Sequence, residues 1–296
     1  MGERILVTGG SGRLGRSVVA GFSAAGHQVI SVDRAEPEQP TPGVDHRSAD
    51  LLDAEATAQL FAEVRPDAVV SLAAIAVPFS APEDVILTTN AAIAHNVTAA
   101  AVAAGAGTVI IASSPSIMGY GSPAGWVPPR LPLDEEVTPQ PWHAYGLSKY
   151  VAEQVASMFA QQTSEVKFIS FRPCYVIAPE EWEGAPTQQG HTVAERLDDP
   201  ALSAPALFNY VDARDVTDFL LAALQQADQV PNGSVFFVGA ADALARRPLA
   251  ELIPEHFPQL ARLAAPLTGS SPAFSVEKAR RMLGWQPQRS WRTELR

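Results

Sequence analysis

Residues 4–15 read Arg4-Ile-Leu-Val-Thr8-Gly9-Gly10-Ser11-Gly12-Arg13-Leu14-Gly15, an apolar run followed by a glycine-rich turn and the start of a helical pattern. Gly9 permits a tight turn after the strand, Gly12 lets the backbone approach a pyrophosphate, and Gly15 lets the helix pack closely on the sheet. The free N–H groups at the start of the helix would face the phosphates. Such a turn alone could be ordinary, but the strand before it and the helix after it favour a dinucleotide-binding unit.

The second apolar run ends at Asp33, which is followed by Arg34. A carboxylate at this position would accept both ribose hydroxyls of the cofactor and repel a 2′-phosphate, which favours NAD. Arg13 and Arg34 favour NADP instead, because a guanidinium near the ribose can pair with that phosphate. We predict NAD, with NADP as the alternative, and expect Arg13, Leu14, Asp33 and Arg34 to lie beside it.

Apolar runs alternate with helical patterns along the rest of the chain, as in a parallel sheet covered on both faces. We predict strands at 4–8, 28–32, 45–49, 68–72, 108–112, 166–171 and 234–238, and helices at 14–25, 54–64, 92–104, 145–161 and 213–226. The order predicts an α/β fold of the Rossmann type, a doubly wound parallel sheet with a small C-terminal substrate-binding lobe. We expect the Rossmann domain to comprise 1–172 and 210–239, and the lobe 173–209 and 240–296. The long loops at 119–144 and 178–206 are candidate binding segments.

Composition excludes several other classes of protein. The 296 residues are 47% hydrophobic and carry a net charge of −11, which argues against binding to nucleic acid or to an anionic membrane. No signal-peptide pattern is visible at the start, and no apolar stretch is expected to reach the ~18 residues of a spanning helix. The single cysteine allows no internal disulfide, so we expect a cytoplasmic protein. The histidines show no metal-ligand spacing, so we expect no metal.

Three side chains predict proton-transfer chemistry. Tyr145 and Lys149 stand four residues apart on a predicted helix and therefore share a face. We expect the ammonium to lower the pKa of the phenol, so that Tyr145 can accept or supply the proton of a substrate oxygen. Ser114, at the end of the fifth predicted strand, would donate a hydrogen bond to that oxygen. With a nicotinamide cofactor, this set indicates redox chemistry at a carbinol or carbonyl carbon.

Together these motifs resemble the extended short-chain dehydrogenase/reductases, the NAD-dependent epimerase/dehydratase family, over nearly the whole chain. The resemblance implies that Ser114, Tyr145 and Lys149 are the catalytic residues. It also implies a homodimer formed through helices at about 83–104 and 145–161. It adds the following cofactor contacts to Gly9, Gly12, Gly15, Tyr145 and Lys149: Asp50 and Leu51 near the adenine, Leu72, Ala73 and Ala74 under the cofactor, Asn90, and Pro173 and Cys174 beside the nicotinamide.

Departures from the family pattern narrow the function. Pro115 and Ser116 stand where the sugar-nucleotide dehydratases of the family carry an Asp-Glu pair, which argues against dehydration. Tyr175 stands where its sugar-nucleotide epimerases commonly carry an asparagine. We therefore expect a dehydrogenase that acts on a secondary alcohol or hemiacetal of a small sugar-like or sugar-acid substrate. The alternatives are an epimerase working through a transient keto intermediate, and a non-catalytic sensor of dinucleotides.

Three further residues have two interpretations each. Cys174 could act as an acid or base, but a lone cysteine behind a strand more often packs in the core. His143 could line the site or lie on a surface loop. Trp182 could stack on a ligand ring or hold its own loop in place.

Overall fold

A computed structural model of the chain describes residues 2–295. Its strands are β1 (Arg4–Thr8), β2 (Gln28–Asp33), β3 (Asp45–Ser48), β4 (Ala68–Ser71), β5 (Thr108–Ala112), β6 (Lys167–Pro173), β7 (Val176–Ile177), β8 (Val211–Asp212) and β9 (Ser234–Val238). Its α-helices are α1 (Arg13–Ala24), α2 (Ala54–Val64), α3 (Glu83–Ala103), α4 (Ala144–Gln162), α5 (Pro179–Trp182), α6 (Val193–Asp198), α7 (Ala213–Gln225), α8 (Leu249–His256), α9 (Ala261–Ala264), α10 (Glu277–Leu283) and α11 (Trp291–Glu294).

Seven strands form one parallel sheet in the order β3-β2-β1-β4-β5-β6-β9. The chain runs outward from β1 to β3 and then returns to the other side of β1 with β4. This reversal leaves a crevice at the carboxyl ends of β1 and β4, which is where open α/β sheets bind their ligands. All seven predicted strands are confirmed to within two residues at each end, and the predicted fold class is confirmed.

The central strands are apolar on both faces because each face is covered by helices. In β1, Ile5 and Val7 pack in the same cluster as Val18 of α1, whereas Leu6 points the other way and packs with Phe61 of α2. This alternation follows from the two-residue period of a strand. The sheet is therefore a rigid platform whose strand ends hold the loops that follow them.

Helix α3 begins nine residues before the start predicted from the sequence pattern, at the residue that the family resemblance implies. Its length corrects the expectation about apolar stretches. It covers 21 residues, and by length and composition alone it could cross a membrane. However, it packs between α2 and α4, and its Asn90 and Thr98 are buried and hydrogen bonded. A core helix of a globular protein has the same features, so its length is weak evidence for a membrane span.

The remaining segments form a second group of elements beside the sheet. The two-residue strands β7 and β8 pair in parallel and lie outside the main sheet. Tyr210 and Asp242 are hydrogen bonded through the tyrosine hydroxyl, at 2.5 Å, and Ser290 donates to the same carboxylate. After helix α10, the Trp285 indole donates to the Asp215 carbonyl. These bonds attach the end of the chain to the start of α7.

Candidate active site

One large cavity, of about 710 Å³, lies at the carboxyl ends of β1, β2, β4, β5 and β6. Its far wall is made by residues between β6 and β8. Of the predicted site residues, these line it: Gly9, Gly12, Arg13, Leu14, Gly15, Asp33, Arg34, Asp50, Leu51, Leu72, Ala73, Ala74, Ser114, Tyr145, Lys149, Pro173 and Cys174. Asn90 alone among the predicted residues does not.

The glycine-rich turn has the shape that a dinucleotide requires. Gly9 has a positive φ of 71°, and a Cβ there would lie 2.8 Å from the backbone nitrogen of Ala73. At Gly15, a Cβ would lie 2.0 Å from the carbonyl oxygen of Gly9. Gly12 directly precedes α1, so the N-terminal N–H groups of this helix open toward the cavity. The close approach of strand, turn and helix leaves a cradle into which a pyrophosphate fits.

Asp33 lies at the end of β2, beside this cradle. Its Oδ2 accepts from the backbone N–H of Ser11 at 3.0 Å, and its Oδ1 from the N–H of Arg34 at 2.7 Å. Arg13 points away from it and binds Glu181 of α5 through Nε at 2.9 Å and Nη2 at 2.6 Å. Because Glu181 is buried and accepts both bonds, the charge of Arg13 is already balanced.

The three predicted catalytic residues converge at one end of the cavity. Ser114 follows β5, while Tyr145 and Lys149 lie one turn apart at the start of α4. The Lys149 Nζ lies 5.9 Å from the centre of the Tyr145 ring and donates to the carbonyl of Ala112 at 3.0 Å. His143 caps α4 by accepting the N–H of Gly146 at its Nδ1. This cap fixes the first turn of the helix, and with it the position of Tyr145.

Burial dominates the electrostatics of this group. It raises the pKa of Tyr145 to about 12, although the nearby Ser114 hydroxyl acts in the opposite direction. It lowers the pKa of Lys149 to about 8. The prediction that Lys149 lowers the pKa of the Tyr145 phenol is therefore wrong for this geometry. The cause is that the phenolate is costly in this apolar setting, while the ammonium is bonded to a backbone carbonyl.

Asn90 lies behind the cavity wall and bonds to a residue that lines it. Its Oδ1 accepts the N–H of Ile75 at 2.7 Å, and its Nδ2 donates to the Ile75 carbonyl at 3.1 Å and to the Ser148 hydroxyl at 3.0 Å. Since Ile75 lines the cavity, Asn90 positions the loop after β4 against α4. In the structure Asn90 thus acts as a positioning residue, and its contact with the cofactor stays a prediction.

Cys174 and His143 lie at the cavity wall, and Trp182 lies outside it. Cys174 is buried at the cavity wall, and burial raises the pKa of its thiol. His143 lines the cavity, and its ring lies nearly parallel to that of Tyr145, with centroids 6.2 Å apart. Trp182 is buried and does not line the cavity; its indole donates to Asp212 at 2.7 Å, so it holds its own loop in place.

Several polar residues that line the cavity were not predicted from the sequence. Ser116 lies with its hydroxyl 2.9 Å from that of Ser114. In the segment between β6 and β8, Gln188, Gln189 and Arg196 also line the cavity. Thr192 and Glu195 form a capping box, a pattern that could have been recognised in the sequence and would have predicted α6. Nothing in the sequence marks Arg196 as buried.

No group of three or more His, Cys, Asp or Glu side chains within residues 2–295 is arranged to hold a metal ion. The cavity is lined by hydroxyls, amides, one ammonium, three guanidinium groups, two carboxylates, a thiol, an imidazole and the glycine-rich cradle.

Known proteins resemble this chain over part or most of its length. A mouse L-xylulose reductase (Mus musculus) is 42% identical over 81 residues, which are 25% of this chain and 33% of the reductase. The chain thus spans only about a third of that relative. A UDP-glucose 4-epimerase of Mycolicibacterium smegmatis is 28% identical over 96% of this chain and 94% of the epimerase.

A solved short-chain dehydrogenase/reductase superfamily protein of Agrobacterium tumefaciens, with bound NAD, has the same fold. The two structures superpose with a TM-score of 0.72 at 22% identity, covering 99% of this chain and 94% of the other. The model of the NAD dependent epimerase/dehydratase family matches residues 5–239, which include the whole sheet apart from one residue. The chain is therefore an enzyme of the extended short-chain dehydrogenase/reductase type and belongs to the NAD dependent epimerase/dehydratase family.

Proposed function

We propose that the protein is an NAD-dependent dehydrogenase acting at a secondary alcohol or hemiacetal carbon of a small sugar-like or sugar-acid substrate. The observation that carries the proposal is the convergence of Ser114, Tyr145 and Lys149 on the same cavity as the glycine cradle. A bound nicotinamide would accept or supply the hydride. The chain itself must hold the substrate oxygen and move its proton.

Ser114, Tyr145 and Lys149 each have a separate role in holding the substrate oxygen and moving its proton. Ser114 donates a hydrogen bond to the substrate oxygen and so orients it. Tyr145 accepts the proton of the same oxygen as the hydride leaves and returns it in the reverse direction. Burial raises the pKa of its phenol to about 12, so the phenolate that accepts the proton is the minor form at neutral pH. Lys149, whose pKa is about 8, remains largely charged at pH 7 and stabilises negative charge that develops near the phenol.

NAD fits better than NADP. The carboxylate of Asp33 lies beside the cradle with its oxygens oriented by two backbone N–H groups. A 2′-phosphate there would meet this negative charge. Arg13, one of the two arginines that favour NADP in the sequence, is paired with Glu181. Only Arg34 remains to receive such a phosphate.

Epimerisation is the second candidate, and the near-complete coverage of the Mycolicibacterium epimerase favours it. It would use the same three residues and would produce no net reduced cofactor. Tyr175, Pro115 and Ser116 distinguish this chain from the patterns of sugar-nucleotide enzymes, and for that reason we rank a dehydrogenase first.

The test is absorbance of reduced nicotinamide after mixing the protein with NAD or NADP and a panel of free aldoses, uronic acids, polyols and nucleotide sugars. We expect turnover with NAD and an unactivated sugar or sugar acid. Tyr145→Phe should reduce kcat by at least about a hundredfold and leave the Kd of NAD unchanged, because it removes only the proton-exchanging hydroxyl. Near-normal turnover of this variant would contradict the mechanism. A changed sugar without net reduction of NAD would favour the epimerase.

Three further properties belong to this proposal. We assign the cofactor to the domain of residues 1–172 and 210–239, and the substrate to the lobe of residues 173–209 and 240–296. We also propose a homodimer. A cytoplasmic location is consistent with the lone thiol, that of Cys174, since it forms no internal disulfide.

A further inference from the structure

Arg196 is a buried cation whose charge is not balanced by a neighbouring carboxylate. It is only 1% exposed, yet it lines the cavity. A guanidinium has five N–H donors, and the one hydrogen bond that this group makes within residues 2–295 joins Nη1 to Gln189 Oε1 at 2.9 Å. Its Nε is buried without a partner in that same part of the chain.

The charges around Arg196 leave one positive charge in excess. After burial, the phenol of Tyr175 influences the pKa of Arg196 most, followed by Glu181 and Arg13. Glu181 and Arg13 are paired with each other. Burial lowers the pKa of Arg196, as it does for a cation without a partner. A buried charge is normally paired, so a missing anion is the simplest explanation for this arrangement.

The ring of Tyr175 orients the guanidinium of Arg196. The guanidinium stacks on the ring of Tyr175, with its central carbon 4.1 Å from the ring centre, which fixes its plane. The hydroxyl of Tyr175 is also buried and makes no hydrogen bond within residues 2–295. One buried hydroxyl and several guanidinium N–H groups are thus available on the substrate side of the same cavity.

We propose that Arg196 and the Tyr175 hydroxyl form a subsite for a carboxylate of the substrate. Arginine binds a carboxylate through two parallel N–H groups, and a single negative charge balances the single excess positive charge. The proposal rests on the proposed function, since it names the substrate class of that same cavity. The enzyme therefore selects sugar acids over neutral sugars of equal size.

The experiment compares the wild type with Arg196→Met and with Arg262→Met, which replaces an exposed arginine of α9 and serves as the matched control. Thermal shift is measured for each protein with a hexuronic acid, with the corresponding neutral hexose, with UDP and with NAD. Methionine keeps most of the apolar length and removes a buried charge, so Arg196→Met should fold. We expect the uronic acid to raise the Tm of the wild type and of Arg262→Met but not that of Arg196→Met.

Kinetics provide the second measurement. In Arg196→Met, kcat/KM should fall about 10- to 100-fold for the acid and remain within about twofold for the neutral sugar, while the Kd of NAD is unchanged. Equal binding of the acid by Arg196→Met and the wild type would overturn the proposal. A loss of NAD affinity would also overturn it, because the anion would then be the cofactor diphosphate. Binding of UDP that depends on Arg196, without binding of the acid, would overturn it in favour of a nucleotide sugar.

The two proposals fail in different ways. Arg196-dependent binding of the acid without oxidation would leave the subsite standing and reject the dehydrogenase. If Arg196→Met oxidises both neutral and acidic sugars as fast as the wild type does, the dehydrogenase is supported and the subsite is rejected.

Discussion

At the scale of single residues, burial shifts the pKa values of the proposed catalytic pair, Tyr145 and Lys149. Tyr145 and Lys149 are both nearly inaccessible, and their pKa values move apart to about 12 and about 8. Each shift disfavours the charged form, because a charge loses its hydration in an apolar wall. The buried ammonium of Lys149 therefore lowers the free energy of unfolding.

We expect Lys149→Met to abolish activity and stabilise the fold at pH 7. The lowered lysine pKa corresponds to a cost of about 3 kcal/mol, from which roughly 1 kcal/mol for the lost bond to Ala112 is subtracted. The free energy of unfolding should therefore rise by about 2 kcal/mol. A lowered lysine pKa penalises the folded state below pH 8, and this penalty fades between pH 8 and 10.5, so the gain should shrink there.

Urea denaturation at pH 7 and at pH 10 measures this difference. Lys167→Met, at a half-buried site of β6, is the matched control and should show no comparable gain. A lower stability of Lys149→Met at pH 7 would mean that the bond to Ala112 outweighs the cost of burial.

At the scale of elements, a buried ion pair joins α4 to β6. Arg172 binds Glu153 through two bonds of 2.8 and 2.9 Å, and both side chains are at most 4% exposed. Glu153 lies on the same stripe of α4 as Tyr145 and Lys149, at a spacing of four residues. The pair therefore holds the catalytic helix in register with the sheet.

We expect Arg172→Met to lower the free energy of unfolding by about 3–5 kcal/mol, because it leaves the carboxylate of Glu153 buried without a partner. The double variant Arg172→Met with Glu153→Met should recover most of this loss. Urea denaturation measures both. Arg280→Met breaks the exposed pair with Glu277 and should cost less than about 1 kcal/mol. Equal stability of the single and double Arg172 variants would contradict the argument.

Elements with a strong pattern were predictable from the sequence, and elements set by tertiary contacts were not. β1 and β5 were predicted with their observed bounds, because a continuous apolar run such as Ile5-Leu6-Val7 is typical of a strand buried on both faces. The first turns of α3, from Glu83, contain several β-branched residues, which favour a helix weakly and hide it in the sequence pattern. They are held by packing around the buried Ile86, and Pro82 contributes only its backbone carbonyl. The two-residue strands β7 and β8 are too short to show any period.

The candidate site divides in the same way. Its cofactor half was predictable because Gly9, Gly15 and Asp33 have fixed spacings dictated by the geometry of a strand, a turn and a helix. The other half was not, because Arg196 and Tyr175 are brought together by irregular backbone with no period of its own. The prediction of a lowered pKa for Tyr145 was wrong for a related reason. A spacing of four residues shows that two side chains are close but not how deeply they are buried.

At the scale of the whole molecule, α3 and α4 lie side by side and present apolar residues to the outside. Val85 of α3 and Leu147 and Met158 of α4 are among the exposed large hydrophobic side chains. Leu147 and Met158 are eleven residues apart, which is close to three turns, so they lie on one side of α4. This surface fits the proposed homodimer.

Light scattering should therefore give twice the chain mass of 31.4 kDa. The double variant Leu147→Glu with Met158→Glu should be monomeric, because it places four carboxylates in the interface of the dimer. Val127→Glu changes an exposed residue outside these helices and should remain dimeric. A wild-type mass equal to one chain would refute the dimer.

The segment from Ala178 to Asn209 is fastened to the body of the protein near each end and makes much of the substrate wall between. Glu181 is bound by Arg13, Trp182 by Asp212, and the amide oxygen of Asn209 accepts the N–H of Tyr175. Between these points the segment is not a free loop, because Val193, Leu197, Leu207 and Phe208 pack in the core. A new substrate preference is therefore expected from substitutions at its cavity-lining positions, such as Gln188 and Gln189, with no change to the sheet, the glycine-rich turn or α4.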